Sequence, residues 1–288
     1  MNEKIDKTKR RRDIIDRIDT FPSIPTAAVK AKKLLSDPEV DFDELARIIK
    51  FDQALTANLL HIANTITFGG KRKVTSAKQA ILRLGTRNVS QMILGIAAAP
   101  ILKREVKGYD LPPQELWKHA IAVAMGSEAL NNELQVGDSQ YIFTAGLLHD
   151  IGKVALGTFL EEDGERIRQK AYGDDISFEK AEEEILGIDH AELGSLLLEH
   201  WDIPEELVRV TRWHHAPDEC PEPDRAVDTV HVADALSLQA GVGTGRDELQ
   251  YSLSRNATER LHIDRSMTDR VMLTIGVEIE ELEDLFIE

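Results

Sequence analysis

The sequence predicts an all-α fold. Apolar residues recur at three- and four-residue intervals along nearly the whole chain of 288 residues, which is the spacing of amphipathic helices. No stretch shows a convincing alternation of apolar and polar residues, the pattern of a half-buried strand. Hydrophobic residues make up 42% of the chain, which is enough for a sizeable buried core. We therefore expect a helical protein with one large or two smaller domains.

Helix-boundary residues support this class along the chain. The segment "SIP" at 23–25 starts a helix, and "DQALTANLLHIAN" at 52–64 is a capped amphipathic helix. Capping residues and helix breakers then flank four more predicted helices. These are Ser76 before "AKQAILRL" with Gly85 after it, Pro113 before "QELWKHAIAVAM", Ser177 before "FEKAEEEIL" with Gly187 after it, and Pro204 at the first turn of "EELVRVTRW". The acidic segment "GVEIEELEDLFIE" at 276–288 predicts a final capping helix, with a partner-binding tail as the alternative.

Two helical subdomains are predicted, because a Gly and Pro cluster, "KGYDLPP" at 107–113, divides the chain. Only His61 precedes the cluster, whereas seven of the nine histidines lie between residues 119 and 231. The basic run "KTKRRR" at 7–12 is interpreted as a solvated helix start, with a binding patch as the alternative. The predicted segments are a basic arm at 1–15, an N-terminal helical subdomain at 16–108, a metal-binding helical subdomain at 109–240 and a C-terminal helical extension at 241–288.

Composition excludes several classes of protein. The net charge of −16 argues against a general nucleic-acid binder, since neutralising phosphates needs a concentrated cationic face. Cys220 is the single cysteine, so no intramolecular disulfide can form and a reducing cytoplasm is expected. The longest apolar stretch, "MILGIAAAPIL" at 92–102, is far shorter than the ~20 residues of a membrane span. No signal peptide is recognised at the N-terminus. We expect a cytoplasmic protein without nucleic-acid or membrane partners.

The second half carries eight candidate metal ligands. Imidazole and carboxylate together suit Fe, Mn, Zn or Ni, and a carboxylate shared between two ions is the usual way to hold a dinuclear centre. The sequence thus predicts divalent metal ions, two in number. The candidates are Glu115, His119, His149, Asp150, His190, His214, His215 and Asp234.

The spacing of these residues shapes the prediction. Glu115 and His119 are four residues apart, so we expect them on one face of a helix. The neighbours His149 and Asp150 diverge by about 100° around a helix, so they share one ion only at a deep, crowded site, or each serves a different ion. Asp150 and Asp234 both follow apolar helical runs, where a buried carboxylate is costly without a cation or several donors.

Each candidate also has an ordinary structural interpretation. His119 could be a hydrogen-bonded core residue, Asp150 a helix cap, His190 first-turn polarity, and the pair at 214–215 a solvated helix end. In a metal-free scaffold the buried acids would instead pair with arginines. The available arginines are Arg83, Arg87 and Arg212. His200 and His231 are left out of the ligand set, as neighbours of the site or surface residues.

The pattern of His119, the doublet His149–Asp150 and Asp234 resembles the H…HD…D signature of the HD superfamily of metal-dependent phosphohydrolases. The extended set, with "HDIGK" at 149–153, is similar to the HD-GYP branch, whose members hydrolyse cyclic dinucleotides at iron or manganese centres. This resemblance implies an HD-type helical bundle and favours Fe or Mn. It also implies catalytic roles for Asp150 and for Lys153, which would lie near the substrate phosphate; a solvated lysine is the alternative.

The first half resembles the HDOD domain, the HD-related output domain of bacterial signalling proteins. The elements that carry this resemblance, in order, are "PSIP", "DQALTANLL", "AN" and "AILRLG". It covers roughly residues 16–215, with the C-terminal helices as an extension. HDOD proteins as a class act through protein contacts and have often lost the HD ligands, whereas this chain retains a full set. After His215 it reads "HHAPDECPEP", without the Gly-Tyr-Pro signature.

Two functions from different classes follow. The first is a signalling output module that holds metal in its HD-like half and works mainly by contacting a signalling protein. The alternative is a metal-dependent phosphohydrolase or phosphodiesterase that acts on a nucleotide or cyclic dinucleotide through a metal-activated water. A metal-free structural scaffold is a third possibility.

Overall fold

The computed structural model describes residues 7–286, apart from residues 36, 38, 65–72, 135–140, 244, 246–250 and 252. These residues form α-helices joined by turns, with no β-strand among them, so the predicted fold class is confirmed. A lone β-bridge joins Val106 and Leu111. No helix in the described ranges combines the length and the apolar character needed to span a membrane.

The helices run through both predicted halves of the chain. Two short 3₁₀ helices occur in the connections between α-helices, at Ile18–Thr20 and Lys107–Tyr109. The α-helices are α1 (Lys7–Ile15), α2 (Thr26–Leu35), α3 (Phe42–Lys50), α4 (Gln53–Ala63), α5 (Ala77–Leu102), α6 (Glu115–Glu133), α7 (Ile142–Leu148), α8 (Gly152–Asp174), α9 (Phe178–Leu186), α10 (His190–His200), α11 (Glu205–Trp213), α12 (Arg225–Gln239), α13 (Arg255–Leu261) and α14 (Arg265–Phe286).

Helices α2–α5 pack together in the first half. Asp41 caps α3 by accepting hydrogen bonds from the backbone nitrogens of Asp43 at 2.8 Å and Glu44 at 3.3 Å. Ser76 caps α5 as predicted. The predicted helix end at Gly85 is only partly right. Gly85 adopts φ +79°, which breaks the helical path, but the chain resumes the helix and continues to Leu102.

Helix α6 is central to the second half, since α7, α12 and α14 all pack against it. Glycines permit the closest approaches. A Cβ at Gly152 would collide with the carbonyl oxygen of His190 and would lie 2.7 Å from the backbone nitrogen of Gly194. The first residue of α8 is thereby held against the first two turns of α10. This contact brings the sequence that follows Asp150 next to His190.

The basic arm binds the acidic half of its own chain rather than remaining a solvated helix start. Arg10 pairs with Asp163 at 2.8 Å. The guanidinium of Arg11 donates to the carbonyl oxygen of Gly187 at 2.9 Å and also pairs with Glu192. The turn between α9 and α10 is therefore held by α1. Residues 1–6 of the arm lie outside the described ranges.

Helix α14 includes residues 276–286 of the predicted final helix, and the residues by which it packs against the second half precede that segment. Helix α14 buries Val271 and Ile275, and its Arg270 pairs with Glu133 at the end of α6 at 2.8 Å. Its last described residue is Phe286.

Lys32 provides a test of how the first half is packed. It lies buried on α2, and its ammonium donates to the carbonyl oxygen of Ser90 at 2.8 Å and to the Ser90 hydroxyl at 3.0 Å. Burial lowers the pKa of Lys32 to about 8, against the nearby charge of Glu206, which raises it. At pH 7 the folded state therefore holds a partly desolvated charge that the unfolded chain hydrates freely.

We expect Lys32→Met to raise the free energy of unfolding at pH 7, by at most about 3 kcal/mol and less after the loss of the Ser90 hydrogen bonds. The folded pKa is below the unfolded one, so the destabilisation by Lys32 fades as the pH rises from 8 towards 10.5. Urea denaturation at pH 7 and pH 10 measures this, with exposed Lys30→Met as the control. A gain of equal size at both pH values would contradict the assignment.

Candidate metal centre

The His149–Asp150 doublet lies in the turn between α7 and α8. Helix α7 ends at Leu148, and Gly152 begins α8. The doublet is completely enclosed, since His149 is 0% and Asp150 1% exposed. A polar pair is thus buried at the point where two core helices meet.

Seven of the eight candidate ligands converge there. His119 comes from α6 and Asp234 from α12. His190 is the first residue of α10, and His214 and His215 follow α11. Three groups have ligand atoms that lie within 4.8 Å of one another. They are Asp150, His190, His214 and His215; His119, His149 and Asp150; and His149, His214 and Asp234.

The two oxygens of Asp150 face two different sets of imidazoles. Its Oδ1 lies 3.4 Å from His190 Nε2 and 3.5 Å from His214 Nε2. Its Oδ2 lies 3.3 Å from His149 Nε2 and 3.5 Å from His119 Nε2. His149 Nε2 and Asp150 Oδ2 are therefore close enough to bind the same ion, in a deep, crowded site of the kind that their spacing predicted.

The second carboxylate, Asp234, completes the inner face. Its Oδ1 lies 3.1 Å from His119 Nε2 and 3.8 Å from His149 Nε2. Both carboxylates thus lie against the same histidines, with Asp234 2% exposed.

Backbone carbonyls fix the orientation of these rings. The Nδ1 atoms lie 2.6 Å from Gly146 O for His149, 2.8 Å from Thr211 O for His214, and 3.2 Å from Val242 O for His119. A carbonyl can only accept, so each Nδ1 carries the hydrogen. In the neutral ring each Nε2 then presents a lone pair towards the carboxylates. A ring whose other nitrogen donates to a backbone carbonyl in this way is typical of histidines that bind metals.

The donor set fits a bound cation. Among the described residues, hydrogen-bond partners of good geometry are missing for His149 Nε2, His214 Nε2, both oxygens of Asp150 and Oδ1 of Asp234. Buried polar atoms of native proteins normally have partners, and lone pairs that face carboxylates repel unless a positive charge lies between them. Imidazole nitrogen with carboxylate oxygen is a suitable donor set for first-row divalent metals.

Charge at the site moves the pKa values of its groups. Burial would raise the pKa of Asp150 and of Asp234. Instead, His149 and Lys153 hold the pKa of Asp150 well below its usual range, and His119 and His149 hold that of Asp234 below its usual range. Burial lowers the pKa of His214 to about 4. Both carboxylates are accordingly ionised and His214 is neutral at pH 7, the states in which each can bind a metal.

Lys153 lies at the same carboxylate. Its Nζ is 2.6 Å from Asp150 Oδ2 and 5.7 Å from the centre of the Tyr109 ring, and the residue is 6% exposed. Its interpretation as a solvated lysine is therefore excluded. Its catalytic role stays a prediction.

The structure does not bring Glu115 to the cluster. Its carboxylate lies 3.3 Å from Lys118 Nζ, and its side chain is 32% exposed. Glu115 is the first residue of α6, and four-residue spacing did place it on the side of His119. The imidazole of His119 points into the core, however, whereas the carboxylate of Glu115 lies at the partly exposed edge of the first turn of α6, beside Lys118.

Sequence reasoning missed the residues that hold the ligands. Buried Glu182 accepts hydrogen bonds from His190 Nδ1 at 2.8 Å, from the His190 backbone nitrogen at 2.9 Å and from the Tyr109 hydroxyl at 2.5 Å. No local pattern reveals this role, because Glu182 lies in the acidic run of α9. His200 is at the surface as expected, beside Asp19 at 3.1 Å.

His231 is a buried neighbour of the site. Its Nδ1 lies 2.6 Å from the carbonyl oxygen of His214, and its Nε2 accepts from the backbone nitrogen of Ser254 at 2.8 Å. The hydroxyl of Tyr251 lies 3.0 Å from the same Nδ1. His231 precedes Asp234 by three residues on α12, and this spacing was the available signal for its position.

A cavity of about 690 Å³ adjoins the cluster, and His215 and Tyr251 lie in its wall. A second cavity, of about 10 Å³, lies further in and is lined by Lys153, His190 and Asp234 as well as by His215 and Tyr251. This inner space is about the size of one water molecule. The outer cavity gives a route from the surface to His215.

The arginine pairing expected of a metal-free scaffold is not seen at the two central acids. Arg212 lies 3.9 Å from Asp189 and from Glu192, and Arg83 donates to the carbonyl oxygen of Ala63 at 3.3 Å. Asp150 and Asp234 face imidazoles instead.

Comparisons with known proteins agree with this picture. The model of the HDOD domain family matches residues 21–217. An uncharacterized protein from Treponema pallidum (strain Nichols) is 26% identical over 219 residues, which are 75% of this chain and 41% of that protein. The chain thus spans less than half the length of this relative.

Two solved structures share the fold. A proposed signal-transduction protein from Marinobacter aquaeolei VT8 has a TM-score of 0.76 at 20% identity, over 98% of this chain and 66% of that one. A proposed phosphohydrolase from Shewanella amazonensis SB2B has a TM-score of 0.70 at 21% identity, over 93% of this chain and 97% of that one.

The role of Glu182 can be tested through stability. We expect Glu182→Ala to lower the free energy of unfolding by about 3 kcal/mol, because it leaves buried donors of His190 and Tyr109 unpaired. The control is Glu183→Ala, which removes a half-exposed partner of Lys7 and should change stability by less than about 0.5 kcal/mol. Urea denaturation measures both. Equal losses in the two variants would refute the special role of Glu182.

Proposed function

Because the chain belongs to the HDOD domain family, we propose that it is a signalling output module whose second half holds divalent metal ions and which acts mainly through contacts with a partner protein. The protein described as a signal-transduction protein in Marinobacter shares this fold. Partner contact is the mode of action that the family resemblance implies.

One observation carries the metal proposal. The Nε2 atoms of His119, His149 and His214 are turned towards Asp150, and their Nδ1 hydrogens are used on backbone carbonyls. The Nε2 atoms of His149 and His214 and both oxygens of Asp150 thereby remain without a hydrogen-bond partner of good geometry, which supports a bound cation among them. The same arrangement is what a metal site needs, because it makes the imidazoles ready to bind without rotating.

Two ions are proposed, with Asp150 between them. His190, His214 and His215 would bind one with Oδ1 of Asp150, and His119 and His149 would bind the other with Oδ2, together with Asp234. The resemblance to HD-type phosphohydrolases favours iron or manganese. Mixed nitrogen and oxygen donors also suit zinc and nickel, which are the alternatives.

Hydrolysis of a phosphate ester is the second candidate function. Its support is the 690 Å³ cavity, which reaches His215, and the position of Lys153 beside Asp150. Bound ions would supply a water of lowered pKa and polarise a phosphoryl oxygen. The chain's own groups would orient the ester: Lys153 offsets charge on its phosphate, and Tyr251 narrows the passage that admits it. A Shewanella protein of the same fold is described as a phosphohydrolase.

The metal proposal predicts the metal content of purified protein. We expect about two divalent ions per chain when the protein is prepared without chelator and measured by elemental analysis. Asp150→Asn keeps the shape of the side chain but removes the shared charge, so we expect fewer than one ion per chain.

Glu115→Gln is the matched control for the metal prediction. Glu115 was a candidate ligand by sequence, but its carboxylate lies at the surface beside Lys118. Its variant should retain the wild-type metal content. Wild-type protein with well under one ion per chain would leave only the metal-free scaffold.

Catalysis predicts hydrolysis of bis(4-nitrophenyl) phosphate or of a cyclic dinucleotide. If the second candidate function holds, Asp150→Ala and Lys153→Met should each lower kcat/KM by about 100-fold or more, since each removes charge from the reacting site. Glu115→Gln should leave the rate unchanged. Equal residual rates in the wild type and in Asp150→Ala would dispose of the enzyme function and leave the signalling function standing.

A further inference from the structure

The wall of the outer cavity, the one of about 690 Å³, is acidic. Among its described lining residues, six carboxylates stand against two lysine or arginine side chains. The acids are Asp175, Glu179, Glu183, Asp189, Asp218 and Glu219, and the basic residues are Lys180 and Arg212. The route from the surface to the candidate metal centre thus runs between negatively charged side chains.

Three of these acids have a basic partner, and three do not. The pairs are Glu183 with Lys7 at 3.4 Å, Asp189 with Arg212 at 3.9 Å, and Asp218 with Arg260 at 2.8 Å. In the part of the chain that the structure describes, no ion pair joins Asp175, Glu179 or Glu219 to a basic side chain. These three acids and Lys180 leave the wall with a charge of −2 after every pair has been counted.

The surrounding half of the chain adds to this charge. Residues 109–288 hold 14 basic and 39 acidic side chains, a net charge of −25, whereas residues 1–108 hold 21 and 12, a net charge of +9. A cleft whose wall has the same sign of charge as the domain around it concentrates counter-ions and speeds their entry by about 10-fold to 1,000-fold. Cations are therefore drawn into the outer cavity, and anions are repelled.

Glu179 lies where the outer cavity meets the inner one of about 10 Å³. The residues that line both cavities are Glu179, His215 and Tyr251. The Ser177 hydroxyl donates a hydrogen bond to the carboxylate of Glu179 and orients it. Burial raises the pKa of Glu179, so the ionised carboxylate is poorly solvated here and gains stability from a cation beside it.

The inner cavity leads to ligand atoms that lack partners. Asp234, which is 2% exposed, lines this cavity, and its Oδ1 has no hydrogen-bond partner of good geometry among the described residues. His190 and His215 lie in the same wall, with their Nε2 atoms 2.8 Å apart. Carboxylate oxygen and imidazole nitrogen are donors for divalent metal ions. The acidic wall therefore leads to groups that a cation would satisfy.

We propose that the outer cavity is the entry path for the divalent ions of the metal centre, and that Glu179 and His215 bind an entering ion on its way to Asp150 and Asp234. The carboxylate and the imidazole at the junction of the two cavities offer one oxygen and one nitrogen donor. The other acids of the wall act over a longer range and raise the local concentration of cations. This inference rests on the proposed metal centre and adds the route by which it is filled.

Loading kinetics of the full chain test the path. Protein is stripped of metal with a chelator, freed of the chelator and mixed with Co²⁺ in a stopped-flow instrument, where visible absorption follows binding. We expect Glu179→Gln to lower the second-order rate constant about tenfold, because the amide keeps the shape of the side chain but loses its charge. The metal content at equilibrium should stay at the wild-type value, since Glu179 is not a ligand of the final site.

A second variant, Asp175→Asn with Glu219→Gln, tests the charge of the wall without changing the junction. Both side chains are exposed, and asparagine tolerates the left-handed backbone at residue 175, where φ is +53°, so the variant is expected to fold. We expect its loading to be about threefold slower than that of the wild type at ~0.01 M ionic strength, and equal to it at ~1 M, where the Debye length is only about 3 Å.

Glu161→Gln is the matched control, because it removes an exposed acid of α8 that lines neither cavity. It should load like the wild type at both ionic strengths.

Two results would overturn the proposal: loading of Glu179→Gln at the wild-type rate, or a metal content of this variant that falls in proportion to its rate. The first excludes Glu179 from the path, and the second makes it a ligand of the final site. Full metal content with a rate that neither substitution nor salt changes refutes the path alone. Wild-type protein that binds no Co²⁺ at equilibrium refutes the metal centre itself, and the path with it.

Discussion

The structure of the second half depends on one buried carboxylate, that of Asp150, whose oxygens face imidazoles and the ammonium of Lys153. Asp150 is 1% exposed, and it is surrounded by imidazoles from four different parts of the chain. An isolated buried carboxylate is among the most costly groups a fold can contain. Its cost is tolerable when positive charge is supplied next to it, by Lys153 and by cations held on the imidazoles. Charged contacts at Asp150, as well as apolar contacts, therefore hold together the helices that meet there, which are α6, α7, α10, α11 and α12.

Helix ends, rather than helix faces, supply the most precise part of this arrangement. His149 and His214 each stand immediately after a helix, and each ring bonds to the carbonyl three residues earlier, that of Gly146 and of Thr211. Carbonyls in the last turn of a helix have no partner within that helix. The rings satisfy these carbonyls and are oriented by them at the same time. The unpaired carbonyls at two helix C-termini thus fix the ring orientation of two candidate ligands, His149 and His214.

The sequence predicted what depends on residue type and short spacing, and missed what depends on packing. Asp150 and Asp234 could be predicted because each follows an apolar helical run, where a buried carboxylate needs a nearby cation or several hydrogen-bond donors. Glu115 satisfied the spacing rule, yet the rule fixes only the side of α6 and not the depth at which the first turn lies. Glu182 binds His190 across the turn between α9 and α10, within an acidic run where its neighbours Glu183 and Glu184 are solvated. Nothing local distinguishes it, because its burial depends on how α9 packs against α8 and α10.

The two halves of the molecule pack against each other close to the candidate metal centre. Helix α5 of the first half packs against α7, which ends one residue before His149. At their crossing a Cβ added at Gly95 would lie 2.0 Å from Cδ2 of Leu147, so the leucine side chain would have to shift. Interiors packed at this density transmit displacement rather than absorb it. The contact between α5 and α7 therefore links the first half of the chain to the turn that holds His149 and Asp150.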